Sequence, residues 1–414
     1  MIVPIILART VHFAATTLAA GTVSFMVLVA APAFGRARGI VALRRRANIM
    51  TWAALAVAIA SGAAWLALLA ADIYGAPLVE VCLQGGPWAV LSGTRFGAVW
   101  SARLAAALLL AVMIVWPGLR GLQLAAAAAI IAPLALIGHA GATPGAAGQL
   151  HLASDAVHLV AAGVWLGGLP ALALLLSLAR PPRGLAARAA ARFSTLGVVG
   201  VAALLASGIV NSWMLLSSPR DLIATDYGRL LFLKIGLFAA MLAIAAVNRF
   251  HLTPRLAGAP ARRALTRNSL AETALGAGVL LLVGALGTMQ PAAHHHLPDI
   301  EIPANAAFVH IHTEQAMADV TIDPGHTGTA NASIRVMHED SSEFPTDGIR
   351  LALDPPAPGP QPIDRIAVHQ SDGTWRVDGI SLPQPGNWIV KVIVVADKKH
   401  QIVLDAPIVI APAQ

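Results

Sequence analysis

Residues 152–178 read LASDAVHLVAAGVWLGGLPALALLLSL, an apolar run that is interrupted near its start by Asp155 and His158. A helix of this length crosses the hydrocarbon core of a bilayer. The whole chain has the same character: 414 residues, 57% of them hydrophobic and 12% charged, with a mean hydropathy of +0.70. These values exclude an ordinary soluble domain and indicate several membrane spans.

Eight apolar stretches are long enough to be transmembrane helices, near residues 5–34, 49–71, 97–116, 121–138, 152–178, 193–216, 229–248 and 269–289. We therefore predict an α-helical polytopic membrane domain, an eight-helix bundle, over residues 1–290. The segment AAPAFG in the first stretch resembles a signal-peptide cleavage region. Because the basic residues follow this stretch instead of preceding it, we interpret it as a retained first span.

Arginine residues concentrate in four connections, those between spans 1 and 2, 3 and 4, 5 and 6, and 7 and 8. Loops rich in Lys and Arg stay in the cytoplasm. We therefore predict a multi-pass protein of the bacterial inner membrane with a periplasmic N-terminus and a periplasmic C-terminal domain. The same loops explain the sequence pI of about 10.4, so we expect no nucleic-acid partner.

The composition changes after the last span, where acidic residues outnumber basic ones. Residues 291–303 form a predicted polar linker that contains His294, His295 and His296. Short β-prone runs separated by turns such as Asp372-Gly373 then fill residues 304–414. This pattern predicts an all-β immunoglobulin-like sandwich with Trp375 and Trp388 in its core.

Polar side chains cluster where the fourth and fifth spans meet. His151, Asp155 and His158 follow the spacing i, i+4 and i+7, which places them on one face of a helix. His139 closes the preceding span near the same rim. A carboxylate one turn from an imidazole fixes the ring's tautomer and raises its basicity as a metal ligand.

Other spans place ionisable or amide groups at a similar depth: His12, Arg103, Asn211 and Lys234. Such groups are unfavourable in hydrocarbon unless they face a bundle interior or a wet cavity. The sequence therefore predicts one polar funnel that opens to the periplasm. Glu272 is a supporting polar candidate in the inner half, where few other ligands are available.

The C-terminal domain carries a second set of candidate ligands. His310 and His312 lie two residues apart on a predicted strand, so both side chains point to one face, and Met317 follows in the next turn. Imidazole and thioether ligands without thiolates suit copper, and Cys82 is the only cysteine. These residues and the linker histidines are weaker candidates than the membrane histidines, because surface histidines and core methionines are common.

Several stretches resemble the copper resistance protein D family. They are VHFAATTLAAG at 11–21, GHA at 138–140, QLHLASDAVHLVAAGVWLGGLPAL at 149–172, RFSTLGVVGVAALLASGIVNSW at 192–213 and YGRLLFLKIGLFAAMLAIAAVNR at 227–249. The resemblance implies eight inner-membrane spans and copper movement from periplasm to cytoplasm, or copper supply to cuproproteins. Carried over to this chain, it assigns copper to His12, His139, His151 and His158.

The tail is similar to the CopC-like and YtkA-like β-sandwich modules found with such proteins, in PGHTGTANASIRVM at 324–337 and PGNWIVKV at 385–392. The copper site that CopC-like modules build at a free N-terminal histidine is not reproduced, because this module follows a span.

Three functions are consistent with these residues. The first is a non-enzymatic copper transport or handling protein of the lipid bilayer, whose partners are the copper ion and a periplasmic copper chaperone. The copper oxidation state stays open. The second is a non-transporting copper chaperone for oxidase assembly. The third is a haem-binding electron-transfer protein, since membrane histidine pairs can ligate haem.

Overall fold

The computed structural model describes residues 2–35, 39–116, 118–142, 145–177, 184–216, 218–289, 303, 305–313, 316–338, 342–356, 361–395 and 401–413. These residues form two compact units, one with the predicted spans and one with the predicted strands. The linker histidines His294, His295 and His296 lie outside the described residues.

In the part of the chain that the structure describes, eight helices are long and apolar enough to cross a membrane, as predicted. They are α1 Ile2–Phe34, α2 Ile40–Tyr74, α3 Arg95–Met113, α4 Arg120–Ile137, α5 Gly145–Ser177, α6 Leu185–Leu215, α7 Asp226–Arg255 and α8 Ala259–Leu286. We call α1–α4 the N-terminal half and α5–α8 the C-terminal half. The end of the bundle at which α1, α3, α5 and α7 begin is called the N-terminal rim.

Local sequence signals explain where two of these helices begin. The Thr94 hydroxyl accepts a hydrogen bond from the Gly97 backbone N–H (3.1 Å), and the Thr225 hydroxyl accepts one from the Gly228 N–H (2.9 Å). Each threonine thus satisfies a backbone donor that the first turn of the following helix leaves unpaired. These caps set the starts of α3 and α7 at the N-terminal rim.

Helices α1 and α5 are the most buried spans of the bundle. They meet through glycines: a Cβ atom added to Gly21 would lie 2.1 Å from the Gly167 carbonyl carbon. One added to Gly167 would lie 2.0 Å from the Thr17 carbonyl oxygen. Small residues let two transmembrane backbones approach closely enough for extensive van der Waals contact. The WLGGL segment is therefore one place where the two halves touch, and the helix of α5 is interrupted at Gly167 and Gly168.

Three of the described spans change their helical pitch. In α1 the residues Phe25–Ala30 form a π-helical segment. The last turns of α4, Ala132–Ile137, form a 3₁₀-helix that contains Pro133. Proline lacks the N–H that an α-helix would use there, which favours the tighter i to i−3 pattern. A π-helical segment, Asn248–Leu252, interrupts α7 in its last third.

The C-terminal unit is an antiparallel β-sandwich, as predicted. Its strands are β1 Ala307–His312, β2 Met317–Asp323, β3 Gly328–Met337, β4 Gly348–Asp354, β5 Ile363–Ile366, β6 Val368–His369, β7 Trp375–Leu382, β8 Gly386–Val395 and β9 Gln401–Ile410. One sheet has the order β1-β2-β3-β7-β6 and the other β5-β4-β8-β9. Trp388 is fully buried between the sheets, and Trp375 packs against the core from its edge.

Candidate metal site in the membrane domain

The first turns of α5 carry the polar face that the sequence predicts. His151 is almost fully buried, and Asp155 and His158 are half-buried. Ser154, on the adjoining side of α5, donates a hydrogen bond to the Ser207 carbonyl oxygen of α6 (3.1 Å). This bond fixes the rotation of α5 against α6 at the depth of Asp155.

Ser207 of α6 sets the tautomer of His158. The Ser207 hydroxyl donates its proton to the Ala203 carbonyl oxygen (2.6 Å) and lies 3.0 Å from His158 Nδ1. Because a hydroxyl that donates elsewhere can only accept here, Nδ1 carries the imidazole hydrogen. The basic nitrogen of His158 is therefore Nε2. Ser207 was not predicted from the sequence, although its place four residues before Asn211 puts both side chains on one face of α6.

Asp155 joins three helices. Its Oδ1 accepts a hydrogen bond from Asn211 Nδ2 on α6 (3.1 Å), and its charge interacts with the Lys234 ammonium on α7. The Oδ1 atom of Asn211 is buried and has no partner among the described residues. The Asp155 carboxylate and the unpaired Asn211 carbonyl oxygen thus belong to two hydrogen-bonded side chains, and both are oxygen donors that suit a cation.

His139 lies just beyond α4, outside the spans, and reaches α7 and α8. Its Nε2 lies 3.2 Å from the Leu286 carbonyl oxygen, so this nitrogen carries the hydrogen and Nδ1 is the basic nitrogen. The ring stacks edge-on against Tyr227 at 6.0 Å. Burial lowers the pKa of His139 below its usual value, and the nearby Arg9 guanidinium lowers it further. His139 is therefore a neutral imidazole at pH 7, the form that binds metals.

Among the predicted residues, the structure brings His139, His151, Asp155, Asn211, Lys234 and His158 into one neighbourhood at the N-terminal rim. His139 and His151 interact electrostatically, and Asp155 lies one turn below His151. Tyr227, which also interacts with Asp155, belongs to this neighbourhood and was not predicted. In the described part of the chain, no three His, Cys, Asp or Glu side chains lie close enough together to hold a metal ion jointly.

His12 and Arg103 lie elsewhere, within the N-terminal half. His12 Nδ1 donates to the Ala58 carbonyl oxygen of α2 (2.8 Å), and the ring lies 5.8 Å from that of Trp65. Arg103 Nε donates to the Ile130 carbonyl oxygen of α4 (2.9 Å). No contact that the structure gives for the described residues joins His12 to His139, His151 or His158.

Glu272 forms a separate polar group on α8. It is 1% exposed, and its Oε2 accepts a hydrogen bond from Asn248 Nδ2 (2.8 Å) at the start of the π-helical segment. Asn248 Oδ1 in turn accepts one from Asn268 (2.8 Å). This amide-carboxyl chain extends the polar interior of the C-terminal half beyond the rim.

In the C-terminal domain, His310 Nδ1 lies 2.6 Å from the Asp319 carboxylate on the neighbouring strand. His312 pairs in register with Met317, and Met317 pairs with Met337, so the three follow one another across β1, β2 and β3. Met317 is buried. A histidine that binds a metal through one ring nitrogen often donates the other ring N–H to a carboxylate, which fixes the tautomer and the orientation of the ring. His310 thus stays a candidate ligand.

Comparisons with known proteins agree with this architecture. Residues 1–149 match the family profile described as "Copper resistance protein D-like, N-terminal domain", and residues 187–286 match "Copper resistance protein D". Most of α5 lies between these two matched ranges. No solved structure matches the chain.

Three curated relatives are similar to this chain. "Inner membrane protein YebZ" of Escherichia coli (strain K12) is 34% identical over 49% of this chain and 72% of its own length. "Copper resistance protein D" of Pseudomonas syringae pv. tomato is 31% identical over 49% of this chain and 71% of its length. "Copper transport protein CutJ" of Bacillus subtilis (strain 168) is 27% identical over 76% of this chain and 60% of its length. With two relatives above 30% identity and mostly covered, the chain belongs to the copper resistance protein D family.

Proposed function

We propose that this protein takes copper from the periplasm at the N-terminal rim and passes it into the membrane domain, for import or for delivery to cuproproteins. The observation that carries the proposal is the neighbourhood of two imidazoles, His139 and His151, directly above Asp155. The name of the relative CutJ, a copper transport protein, agrees with this function. The Arg-rich loops at the opposite end of the bundle support a periplasmic N-terminal rim.

Entry of copper begins at the imidazoles. The basic Nδ1 of His139 and the ring of His151 provide nitrogen ligands, which suit copper. A site with so few ligands holds an ion loosely, and conduction needs binding that is strong enough to admit an ion and weak enough to release it. Incomplete coordination at the rim is therefore consistent with a site of passage and less so with storage.

Asp155 provides the next step. In the protein without copper, its negative charge is balanced by Lys234 on α7. A copper cation that reaches Asp155 and the unpaired Asn211 oxygen competes with the lysine for the same carboxylate. His158, one turn deeper on the same face, offers Nε2 as the following ligand. The face of α5 thus presents imidazole, carboxylate and imidazole in succession.

The test is copper accumulation in cells that lack the endogenous protein. The double variant His151→Ala, His158→Ala should lose accumulation while its amount in the membrane stays unchanged. His251→Ala, which removes an exposed histidine from the π-helical segment of α7, is the matched control and should accumulate copper normally. Normal accumulation by the double variant would reject the assignment of these residues.

A copper chaperone that does not transport remains the second candidate, because the polar groups beyond His158 are sparse. Uptake of radiolabelled copper into vesicles containing the purified protein separates the two. Time-dependent uptake beyond one ion per protein supports transport, whereas uptake that stops at binding stoichiometry supports a chaperone. A Soret band in the purified protein would instead support haem binding.

A further inference from the structure

A cavity of about 30 Å³ lies between α1, α2, α3 and α4, at the depth of His12. Its polar lining comes from His12, Thr16, Trp100 and Arg103, and none of the described residues that line it is acidic. A space of this volume accommodates a water-sized species, because about 10–15 Å³ on this measure is enough for one water. The cavity is separate from the neighbourhood around Asp155.

Arg103 points a positive charge into this cavity. Its side chain is 5% exposed, and Nε is anchored on the Ile130 carbonyl oxygen. That oxygen is available because the 3₁₀ turns that follow Ile131 pair each N–H with the carbonyl three residues back, which leaves Ile130 without its α-helical donor. The Nη1 atom of Arg103 is buried and has no partner among the described residues.

His12 presents the second unpartnered atom. Because Nδ1 donates to Ala58, the lone pair of the neutral ring is on Nε2, which is also buried without a partner in the described chain. His12 and Arg103 interact electrostatically. Gly62 makes room here, since a Cβ at this position would lie 2.7 Å from Trp100 Nε1 and 3.1 Å from His12 Cε1.

The charge balance identifies the class of ligand. An uncompensated charge in a membrane interior is strongly unfavourable. Water can fill hydrogen bonds, but it cannot neutralise the guanidinium. A cation at His12 Nε2 would be repelled by Arg103. An anion would accept the Nη1 hydrogen, and it could accept a further one from the Trp100 indole.

We propose that this cavity, with Arg103 as its main donor, binds a small monovalent anion such as chloride. The volume excludes a phospholipid headgroup, so the anion comes from solution. The anion neutralises Arg103 and ties α1, α3 and α4 together at this depth. This inference is independent of the copper proposal and assigns Arg103 a role in ligand binding.

The test is the thermal unfolding of purified full-length protein, free of copper, in sodium chloride, sodium bromide or sodium gluconate at equal ionic strength. We expect the Tm to be about 2–4 °C higher in chloride than in gluconate, and the rise to saturate with chloride concentration. This rise corresponds to an increase of about 1 kcal/mol in the free energy of unfolding through anion binding. Arg103→Gln should abolish this rise. Arg192→Gln, which removes an exposed arginine of α6, is the control and should keep it.

A second variant keeps the charge and closes the space. Ala107 is buried and lines the cavity, so Ala107→Leu should also remove the chloride-dependent rise while Arg103 stays in place. Equal Tm values for wild type in chloride and gluconate would overturn the proposal. It would likewise be overturned if Arg103→Gln and Ala107→Leu both kept the full chloride-dependent rise in Tm. The rise would then come from an effect of chloride on the whole protein surface and not from binding in this cavity.

Discussion

The N-terminal half of the membrane domain and the C-terminal half contain opposite kinds of interior charge. Among the described residues of α1–α4, Arg103 is buried and Arg9 half-buried, whereas Asp72 at the end of α2 and Glu80 in the connection between α2 and α3 are exposed. In α5–α8 the interior contains Asp155 and Glu272, balanced in part by Lys234. The two interior carboxylates thus belong to the C-terminal half, whereas the N-terminal half supplies guanidinium groups, one of which, Arg9, also lies near His139.

This difference explains why the histidines cannot be treated as one set. His12 has Arg103 as its charged neighbour, whereas His151 and His158 share a helix face with Asp155. A metal cation is favoured by a neighbouring carboxylate and disfavoured by a guanidinium, and these interactions are strong in a medium of low dielectric constant. The copper assignment therefore has its strongest support on α5. For His12 it stays a prediction that Arg103 opposes.

The largest expected effect is on copper accumulation. Asp155→Asn should reduce the initial rate by about tenfold or more, because the substitution removes the carboxylate and leaves Lys234 to repel the cation. Arg103→Gln, in the other half, should change the rate by less than about twofold, since Arg103 is not in the copper neighbourhood. Equal losses for the two variants, measured at equal amounts of protein in the membrane, would contradict a division of labour between the halves.

The contact between the halves should be sensitive to a single methyl group. We expect Gly167→Ala to lower stability by about 3 kcal/mol, because the new Cβ has no space beside the Thr17 carbonyl oxygen. Gly236→Ala in α7, where the added Cβ meets open space, is the matched control and should keep or slightly raise the Tm. Thermal unfolding in detergent measures both. A Gly167→Ala protein as stable as wild type would mean that α1 and α5 do not meet backbone to backbone.

The charge pair of the C-terminal half can be isolated with a double-mutant cycle. Asp155→Asn and Lys234→Met should each lower the Tm, and the double variant should recover most of the loss. Residues that share one hydrogen-bond or charge network couple by roughly 0.5–3 kcal/mol. Additive losses in the cycle would show that Asp155 and Lys234 do not stabilise each other.

The smallest expected effect concerns pH. Burial lowers the pKa of His139, so between this pKa and the unfolded value near 6.5 the folded protein binds fewer protons than the unfolded chain. Stability should then fall as the pH drops below about 6.5, with a slope of at most about 1.4 kcal/mol per pH unit for this group. His139→Gln should flatten the dependence of Tm on pH in this window. An unchanged slope would mean that His139 does not titrate differently on folding.

Much of the fold could be predicted from the sequence, because hydrophobic length alone defines a transmembrane helix and alternating runs define strands. All eight spans and the strand-rich tail were predicted in this way, although the long helices α2, α6 and α8 begin several residues earlier than their apolar cores. Their first turns are basic and were assigned to loops. Hydropathy finds the part of a helix that lies in hydrocarbon, and it does not report the turns that continue into the interface.

The candidate site could be predicted only along single helices. The spacing of His151, Asp155 and His158 is a property of α5 and was recognised from the sequence. The hydrogen bond of Asp155 with Asn211 and its electrostatic interaction with Lys234 depend on the packing of three helices, which the sequence suggested only through similar depth. The separation of His12 from this group depends on the direction in which α1 faces, and depth along a helix does not determine that direction.

The glycine contact between α1 and α5 also has a mechanical meaning. Side chains that lie between two helices can absorb a small movement of one helix, because they can change rotamer. At Gly21 and Gly167 no side chain separates the two backbones, so we expect a displacement of α1 at this level to move α5 with it. We therefore expect the level of Gly21 and Gly167 to be the stiffest part of the α1–α5 pair, so that any relative movement of the two helices occurs mainly at their ends.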